Sequence, residues 1–91
     1  MNFGEALELL KNGERVCRKG WNGEGMWLVL VPGSPLVTFT KGTPYHAVGI
    51  RKQTNIDPHI DMFTAKGSMQ PGWLASQTDM LAEDWEMCGL T

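Results

Sequence analysis

The first eleven residues have the hydrophobic spacing of an amphipathic helix. Four apolar side chains fall on one helical face: Phe3, Ala6, Leu7 and Leu10. Asn2 is a favoured capping residue, and Glu5 stands at the third helical position, where it completes a capping box. Gly13 can adopt the left-handed conformation that ends a helix. The pattern predicts a helix over residues 3–11.

Short segments typical of strands fill much of the remaining chain. They lie at residues 15–18, 26–31, 36–40, 59–65 and 85–88. A turn at Lys66-Gly67 is expected to join the fourth of them to residues 68–70 in a hairpin. Residues 46–50 fit either a short strand or an ordered loop, and residues 51–55 are polar and expected to be exposed.

Residues 71–87 place two tryptophans on either side of a short helix signal. Ser76 and Asp79 have the spacing of a helix cap. We expect Trp85 in the core. Trp73 follows a Pro-Gly turn and precedes polar residues, which makes it a candidate wall of a binding pocket.

One long helical pattern followed by several short strands predicts an α+β fold. We expect an N-terminal helix packed on a bent antiparallel β-sheet, with a short helix before the C-terminal strand. The length of 91 residues fits a single domain, residues 1–91.

Several features predict self-association. Segment 26–31 is apolar on both faces, which places it in a sandwich, under a helix or across a subunit interface. Six methionines and four tryptophans are more than solubility requires. A lone domain of this size would be marginally stable. We therefore expect a homo-oligomer, most simply a tetramer built from two dimers.

Charge and composition argue against several classes of protein. The formal net charge of −2 gives no overall attraction to DNA or RNA. The longest apolar run, residues 26–31, is far shorter than the roughly 18 residues that suggest a membrane span. No signal peptide is visible, so the cysteines are expected to be thiols in a reducing cytoplasm. No zinc spacing links Cys17, His46, His59 and Cys88, and no metal or cofactor is expected.

A glycine-rich loop at residues 19–25 surrounds Trp21. It matches no P-loop or dinucleotide-binding motif. A large aromatic residue in such a loop can serve as a stacking platform for a base, with Asn22 beside it to bond a ribose or a base edge. Arg15 and Arg18 lie on opposite faces of the preceding strand, and Arg18 is a candidate phosphate clamp.

The start of the C-terminal helix offers further ligand contacts. Ser76, Gln77 and Asp79 come shortly after Trp73. Backbone N–H groups at a helix start suit an anion or a ribose hydroxyl, and the Asp79 carboxylate can accept a hydrogen bond from a ribose or a base. The alternative is that Ser76 and Asp79 only cap the helix.

His59 and Asp61 form the most enzyme-like pair in the chain. Two residues apart on a strand, they project from the same face, where an Asp can orient a His as a base or a metal ligand. No convincing nucleophile and no third metal ligand accompanies them. A structural or solvated role is therefore favoured for both.

Five segments of the chain have the order and spacing of a known family. They are Phe3-x-x-Ala6-Leu7, Arg18-Lys19-Gly20-Trp21-Asn22-Gly23, residues 27–32, His59-Ile60-Asp61-Met62 and Trp73-Leu74-Ala75-Ser76-Gln77-Thr78-Asp79-Met80-Leu81-Ala82-Glu83-Asp84-Trp85. In these segments the chain resembles a small phage and prophage family that includes the second type of Thoeris anti-defence protein. The resemblance spans nearly the whole chain, and its last segment is specific.

The resemblance implies a sponge and not an enzyme. Family members bind the cyclic ADP-ribose-type signal made by Thoeris TIR proteins and hold it intact, and some relatives take CBASS cyclic oligonucleotides. It also implies an α+β homotetramer with pockets between subunits, acting in the cytoplasm of an infected or lysogenic host. The ligand-binding residues expected here are Trp21, Asn22, Arg18, Trp73, Ser76, Gln77 and Asp79. Two alternatives stay open: an enzyme that degrades a cyclic nucleotide with His59 and Asp61, and a structural phage module without a ligand.

Overall fold

The computed structural model describes residues 1–21 and 25–88. In these residues the helices are α1 (Phe3–Lys11), α2 (Pro44–Ala47) and α3 (Gln77–Leu81). The strands are β1 (Val16–Arg18), β2 (Trp27–Val31), β3 (Ser34–Val37), β4 (Thr54–Ile56), β5 (His59–Phe63), β6 (Met69–Gln70) and β7 (Trp85–Met87). The predicted α+β fold is confirmed, with one long N-terminal helix and a short helix before the last strand.

Helix α1 begins at the capping box that the sequence predicts. The Asn2 side chain accepts a hydrogen bond from the Glu5 N–H at 2.9 Å, and the Glu5 carboxylate accepts one from the Asn2 N–H at 3.0 Å. Ala6 and Leu10 are buried against the sheet. The predicted bounds of residues 3–11 are confirmed.

A five-stranded antiparallel sheet supports α1. Its strand order is β6-β5-β2-β1-β7. Leu28 of β2 stands opposite Val16 on one side and Met62 on the other, so these three side chains share a face. The buried core lies between this face and α1, and consists of Ala6, Leu10, Val16, Leu28 and Trp85. Burying each of the larger side chains contributes roughly 1.5–3 kcal/mol.

The opposite face of the sheet, here called the open sheet face, has no helix or strand of the described chain on it. Trp27 and Phe63 stack on it with ring centroids 5.0 Å apart and an interplanar angle of 10°. The Arg15 guanidinium lies 4.7 Å from the centre of the Trp27 ring. Val29 and Val31 of the same strand alternate with the core-facing residues and are half-buried. The strand predicted at residues 26–31 is thus confirmed at Trp27–Val31, with apolar side chains on both of its faces.

Residues 34–56, here called the arm, form a separate unit. Strands β3 and β4 pair only with each other, and α2 lies between them in sequence. Within the described chain, no other helix or strand packs against these three elements. At the base of the arm, Gly33 has a φ of +84°, and a Cβ there would lie 2.4 Å from the Ile56 carbonyl oxygen. Only glycine allows the two ends of the arm to come this close.

The arm is also where the sequence-based prediction was wrong. Residues 46–50 were expected to form a strand or a loop. Residues 48 and 49 do form a turn, but residues 46 and 47 belong to α2, which begins at Pro44 because Thr43 caps it, accepting a hydrogen bond from the His46 N–H at 3.3 Å. Strand β4 was not predicted, and the strand expected at residues 36–40 lies earlier, at Ser34–Val37. The Asn55 side chain accepts the Leu36 N–H at 3.0 Å, where the pairing of β3 and β4 is irregular.

No helix in residues 1–21 and 25–88 has the length and apolar character needed to cross a membrane.

Candidate functional site

Three charged side chains form the centre of the candidate site: Arg18 on β1, Asp79 on α3 and Asp84 just before β7. Arg18 Nη1 lies 2.8 Å from Asp79 Oδ1, and Arg18 Nε lies 2.8 Å from Asp84 Oδ1. The Arg18 and Asp79 side chains are each only 13% exposed. This group, here called the Arg18 cluster, connects segments that are more than 60 residues apart in sequence.

The first part of the glycine-rich loop, Gly20 and Trp21, is held on the Arg18 cluster by both carboxylates. The Trp21 indole N–H donates to Asp79 Oδ1 at 3.2 Å, and the Gly20 N–H donates to Asp84 Oδ2 at 2.8 Å. A Cβ on Gly20 would lie 2.7 Å from that same Asp84 oxygen. Glycine at this position therefore lets the backbone approach the carboxylate closely.

The start of α3 uses Asp79 a second time. The Ser76 hydroxyl accepts a hydrogen bond from the Asp79 N–H at 3.0 Å, and Asp79 Oδ2 accepts one from the Ser76 N–H at 3.2 Å. This reciprocal capping box confirms that Ser76 and Asp79 cap the helix. Asp79 thus connects the helix cap, the strand arginine and the loop tryptophan through one carboxylate.

Electrostatics keep the Arg18 cluster fully ionised at neutral pH. Hydrogen bonds to Asp84 and then Asp79 raise the pKa of Arg18. Burial raises the pKa of Asp79, but hydrogen bonds from Arg18, Trp21 and Ser76 outweigh it, and the pKa lies below its ordinary value. The hydrogen bond from Arg18 likewise lowers the pKa of Asp84. With two carboxylates and one guanidinium, the cluster has a net negative charge.

An aromatic cluster lies directly beside these charges. The rings of Trp21 and Trp73 each meet Trp85 edge-on, with centroids 5.4 and 6.2 Å away, and they lie 6.5 Å from each other. Phe3 of α1 completes the cluster, 5.4 Å from Trp85. Trp85 is 2% exposed and its indole N–H donates to the Asp79 carbonyl at 2.9 Å. Its predicted core position is confirmed, whereas Trp21 and Trp73 stay half-buried at the surface of the cluster.

Most of the predicted ligand-binding residues therefore come together. One network of contacts connects Trp21, Trp73, Arg18 and Asp79. Ser76 joins this network through the helix cap. Gln77 is exposed at the first position of α3. Asn22 lies outside the described residues.

Sequence reasoning missed the role of Asp84. It holds both Arg18 and the Gly20 backbone, yet its acidity alone gave no sign of either contact. The register of β1 and β7 places Arg18 opposite Trp85. Because Asp84 directly precedes Trp85, its place in the sequence was the one sign that it would contact Arg18. Trp21 was expected as a stacking platform in the loop, and its packing against two other indoles was not predicted.

The His59 and Asp61 pair has a structural explanation. His59 Nε2 lies 3.6 Å from Asp61 Oδ1, and the other ring nitrogen, Nδ1, is 2.9 Å from the Asp57 carbonyl oxygen. Asp61 Oδ1 also accepts the Gly72 N–H at 3.0 Å, which anchors the turn before Trp73. Among the residues that the structure describes, no three His, Cys, Asp or Glu side chains are grouped to hold a metal ion.

Comparisons with known proteins identify the same family over nearly the whole chain. Residues 1–88 match the family model of the Thoeris anti-defense 2-like domain, called Tad2-like. The chain is also 37% identical over 89 residues to a protein of Bacillus phage SP01 named Thoeris anti-defense 2, covering 96% of this chain and 93% of that protein. The matched region includes every residue of the two clusters.

Proposed function

This chain belongs to the Thoeris anti-defence 2-like family, and from that membership we propose that it acts as a sponge, which binds a cyclic ADP-ribose-type immune signal and holds it without cleaving it. The family and its phage relative support an anti-defence role. The proposal rests on the family match over residues 1–88, because the matched region includes all the helices and strands that form the candidate site. The place of action would be the cytoplasm of the infected or lysogenic host.

The aromatic cluster supports capture of a base. Trp21 and Trp73 are half-buried and lie on the core residue Trp85, so their rings are held in place before a ligand arrives. Stacking on such a ring contributes roughly 1–3 kcal/mol per base. A preorganised surface loses little side-chain entropy on binding, which favours the tight and slow-releasing capture that sequestration needs.

The polar groups beside the tryptophans suit a ribose better than a phosphate. The Asp79 carboxylate lies beside the Trp21 ring but already accepts hydrogen bonds from Arg18, Trp21 and Ser76. Gln77, exposed two residues before Asp79, is the more accessible partner for a ribose hydroxyl. Arg18 is already paired with two carboxylates, so a pyrophosphate would have to compete with them. We therefore propose that a second subunit completes the pocket and supplies positive charge to the phosphates.

The open sheet face supports the proposed homo-oligomer. It presents the Trp27–Phe63 stack at one end, while Val29 and Val31 pair across the strands with Asp61 and His59. The apolar end is suited to sheet-on-sheet packing. The proposed homo-oligomer can be tested with Val29→Glu, which puts a charge at the centre of this face. Light scattering should show a multimer for the parent and a smaller assembly for the variant. A parent that is a single chain at micromolar concentration would contradict both the oligomer and the shared pocket.

A capture-and-release experiment tests the function directly. Cyclic ADP-ribose isomers are incubated with excess protein, free ligand is removed by filtration, and the protein is then denatured by heat. A sponge returns the intact ligand, whereas an enzyme returns a product. The His59–Asp61 contact is the observation that favours the enzymatic alternative, so Asp61→Asn serves as the control: product formation by the parent that this variant abolishes would replace the sponge with an enzyme.

Ligand identity is tested by thermal shift. Cyclic ADP-ribose isomers are compared with cyclic di- and trinucleotides of the CBASS type, since a bound ligand raises the unfolding temperature by mass action. An increase for the ADP-ribose class supports the proposal. If no nucleotide shifts the unfolding temperature, the protein is a structural phage module and not a sponge.

A further inference from the structure

Trp73 lies in a connection that has no regular secondary structure. Residues 71–76 join β6 to α3 and form neither a helix nor a strand. Pro71 and Gly72 before the tryptophan are exposed, and Leu74 after it is 89% exposed. The backbone on both sides of the indole is thus open to solvent, so hydrogen bonds must set where this connection lies.

Two hydrogen bonds attach the connection to strand β5. The Trp73 N–H donates to the Ile60 carbonyl oxygen at 2.7 Å, and the Gly72 N–H donates to Asp61 Oδ1 at 3.0 Å. The first is a backbone contact that any residue at position 60 could supply. The second needs an acceptor in the side chain at position 61. Asp61 is therefore the side chain that places the turn before Trp73.

Asp61 is costly to bury. In residues 1–21 and 25–88 it is the one charged or polar residue that is buried, with 9% of its surface exposed. It stands opposite Val29 of β2, where an apolar side chain would match the neighbouring strand. Taking a carboxylate out of water costs free energy that its hydrogen bonds must offset. A buried charge in a small domain points to a role other than core packing.

The anchored turn acts on the candidate site through the Trp73 ring. The ring centroid lies 6.2 Å from that of Trp85, 6.3 Å from Phe3 and 6.5 Å from Trp21. Trp73 is half-buried, so part of its ring faces these neighbours and part faces solvent. A displacement of the turn by about 1 Å would move the exposed part relative to Trp21, which is enough to spoil a binding site.

We propose that Asp61 is a positioning residue for ligand capture, which fixes Trp73 relative to Trp21 before a ligand arrives. Asp61 alternates along β5 with Ile60 and Met62, which pack against the core, so its side chain leaves the sheet on the side away from the aromatic cluster. It therefore acts through Trp73. A ring that is held in advance lowers the ordering entropy that binding must overcome. This inference rests on the proposed capture of a nucleotide.

The test compares two substitutions of Asp61. Asp61→Ala removes the acceptor, whereas the side-chain carbonyl of Asp61→Asn can still accept the Gly72 N–H. Thr64→Val is the matched control, because Thr64 Oγ1 accepts the Ser68 N–H at 3.2 Å in the same hairpin, at the opposite end of β5 from Ile60. Calorimetry with a cyclic ADP-ribose isomer should show an affinity about three- to tenfold lower for Asp61→Ala. Asp61→Asn and Thr64→Val should bind close to the parent affinity.

A double-mutant cycle separates positioning from general stability. If Asp61 acts through Trp73, Asp61→Ala should weaken capture in the parent but add no further loss in a Trp73→Ala background. Circular dichroism at the temperature of the measurement establishes that each variant is folded. Asp61→Ser, whose oxygen lies closer to its own backbone, takes the place of an Asp61→Ala variant that does not fold. Unchanged capture in Asp61→Ala, or a loss that persists in full without Trp73, would overturn the proposal.

Hydrogen exchange tests the anchor apart from capture. The Gly72 and Trp73 amides should exchange faster in Asp61→Ala than in Thr64→Val, because only Asp61→Ala removes an acceptor from this connection. A parent that captures no cyclic ADP-ribose isomer but shows this acceleration contradicts the sponge and supports Asp61 as the residue that fixes Trp73. Unchanged exchange at both amides would overturn the positioning role, whatever the protein captures.

Discussion

Arg18 Nη1 lies 2.8 Å from Asp79 Oδ1, and this contact connects the central sheet to the helix that precedes the last strand. The same Asp79 oxygen accepts the Trp21 indole N–H. One carboxylate therefore sets the position of the loop tryptophan relative to the strand arginine. The candidate site depends on this pairing for its shape.

Replacing Arg18 should destabilise the fold. In Arg18→Ala the Asp79 carboxylate stays mostly buried and loses its cation, which should lower the free energy of unfolding by about 1–3 kcal/mol. Lys19→Ala is the matched control, because Lys19 is 74% exposed and lies 3.9 Å from Glu86. The control should change stability by less than about 1 kcal/mol. Urea unfolding of both variants measures the difference, and equal effects would contradict the role given to Arg18.

Acid should destabilise the protein through the same carboxylates. The folded-state pKa of Asp79 lies below its unfolded value of 3.8, so its stabilising contribution is complete above that value and is lost as pH falls through the folded pKa. Urea unfolding should give a nearly constant stability between about pH 7 and pH 5 from these groups, with a decline below about pH 4. Asp79→Asn should reduce the steepness of that decline. If Asp79→Asn loses stability on acidification as steeply as the parent protein, other carboxylates cause most of the acid destabilisation.

Trp21 and Trp85 should respond differently to truncation. Trp85→Ala removes a core side chain that is 2% exposed and should cost on the order of 3–5 kcal/mol. Trp21→Ala removes a half-buried ring, so it should cost less stability and weaken ligand capture by about ten- to a hundredfold. Trp21→Phe keeps an aromatic ring but not the hydrogen bond to Asp79.

Calorimetry with a cyclic ADP-ribose isomer measures capture, and thermal unfolding measures stability. Trp21→Phe should unfold close to the parent temperature and bind more weakly. If Trp21→Ala binds as tightly as the parent while its unfolding temperature collapses, Trp21 is a core residue alone and the pocket lies elsewhere.

Local signals account for the parts of the fold that the sequence predicted. Helix α1 and the start of α3 have capping residues at the right spacing, and the double-sided apolar run gives β2. These features depend on neighbours within about four residues: helix geometry sets the capping contacts, and alternation along the strand sets the two faces of β2. They were therefore visible without a structure.

The parts that were missed depend on distant residues. Strand β4 contains a polar Asn55 whose side chain bonds Leu36, a contact 19 residues away that no local pattern reveals. The Arg18 cluster connects residues separated by 61 and 66 positions. Its members were recognisable as candidates one by one, but their mutual pairing follows from strand register, which tertiary packing decides.

Gly33 should be essential to the arm. In Gly33→Ala the new Cβ would meet the Ile56 carbonyl oxygen at 2.4 Å while the residue keeps a φ of +84°. Gly42→Ala is the control, since it has a φ of +101° but no atom within 4 Å of the added Cβ. The control should lose only about 1 kcal/mol of stability, from the backbone strain of a non-glycine residue at positive φ.

Hydrogen exchange of the β3 and β4 amides reports the stability of the arm. Exchange should accelerate much more in Gly33→Ala than in Gly42→Ala, while amides of the five-stranded sheet stay protected in both. Equal acceleration would mean that the ends of the arm tolerate more separation than the structure indicates.

The grouping of Trp21, Trp73 and Trp85 has an optical consequence. Indoles whose centres lie 5.4 to 6.5 Å apart transfer excitation energy to one another, so light absorbed by one ring can be emitted by another. A base that stacks on either outer ring would quench light absorbed by all three and change the near-ultraviolet dichroism of the whole group. The protein therefore contains its own unlabelled reporter of occupancy, readable in solution as each ligand molecule arrives or leaves.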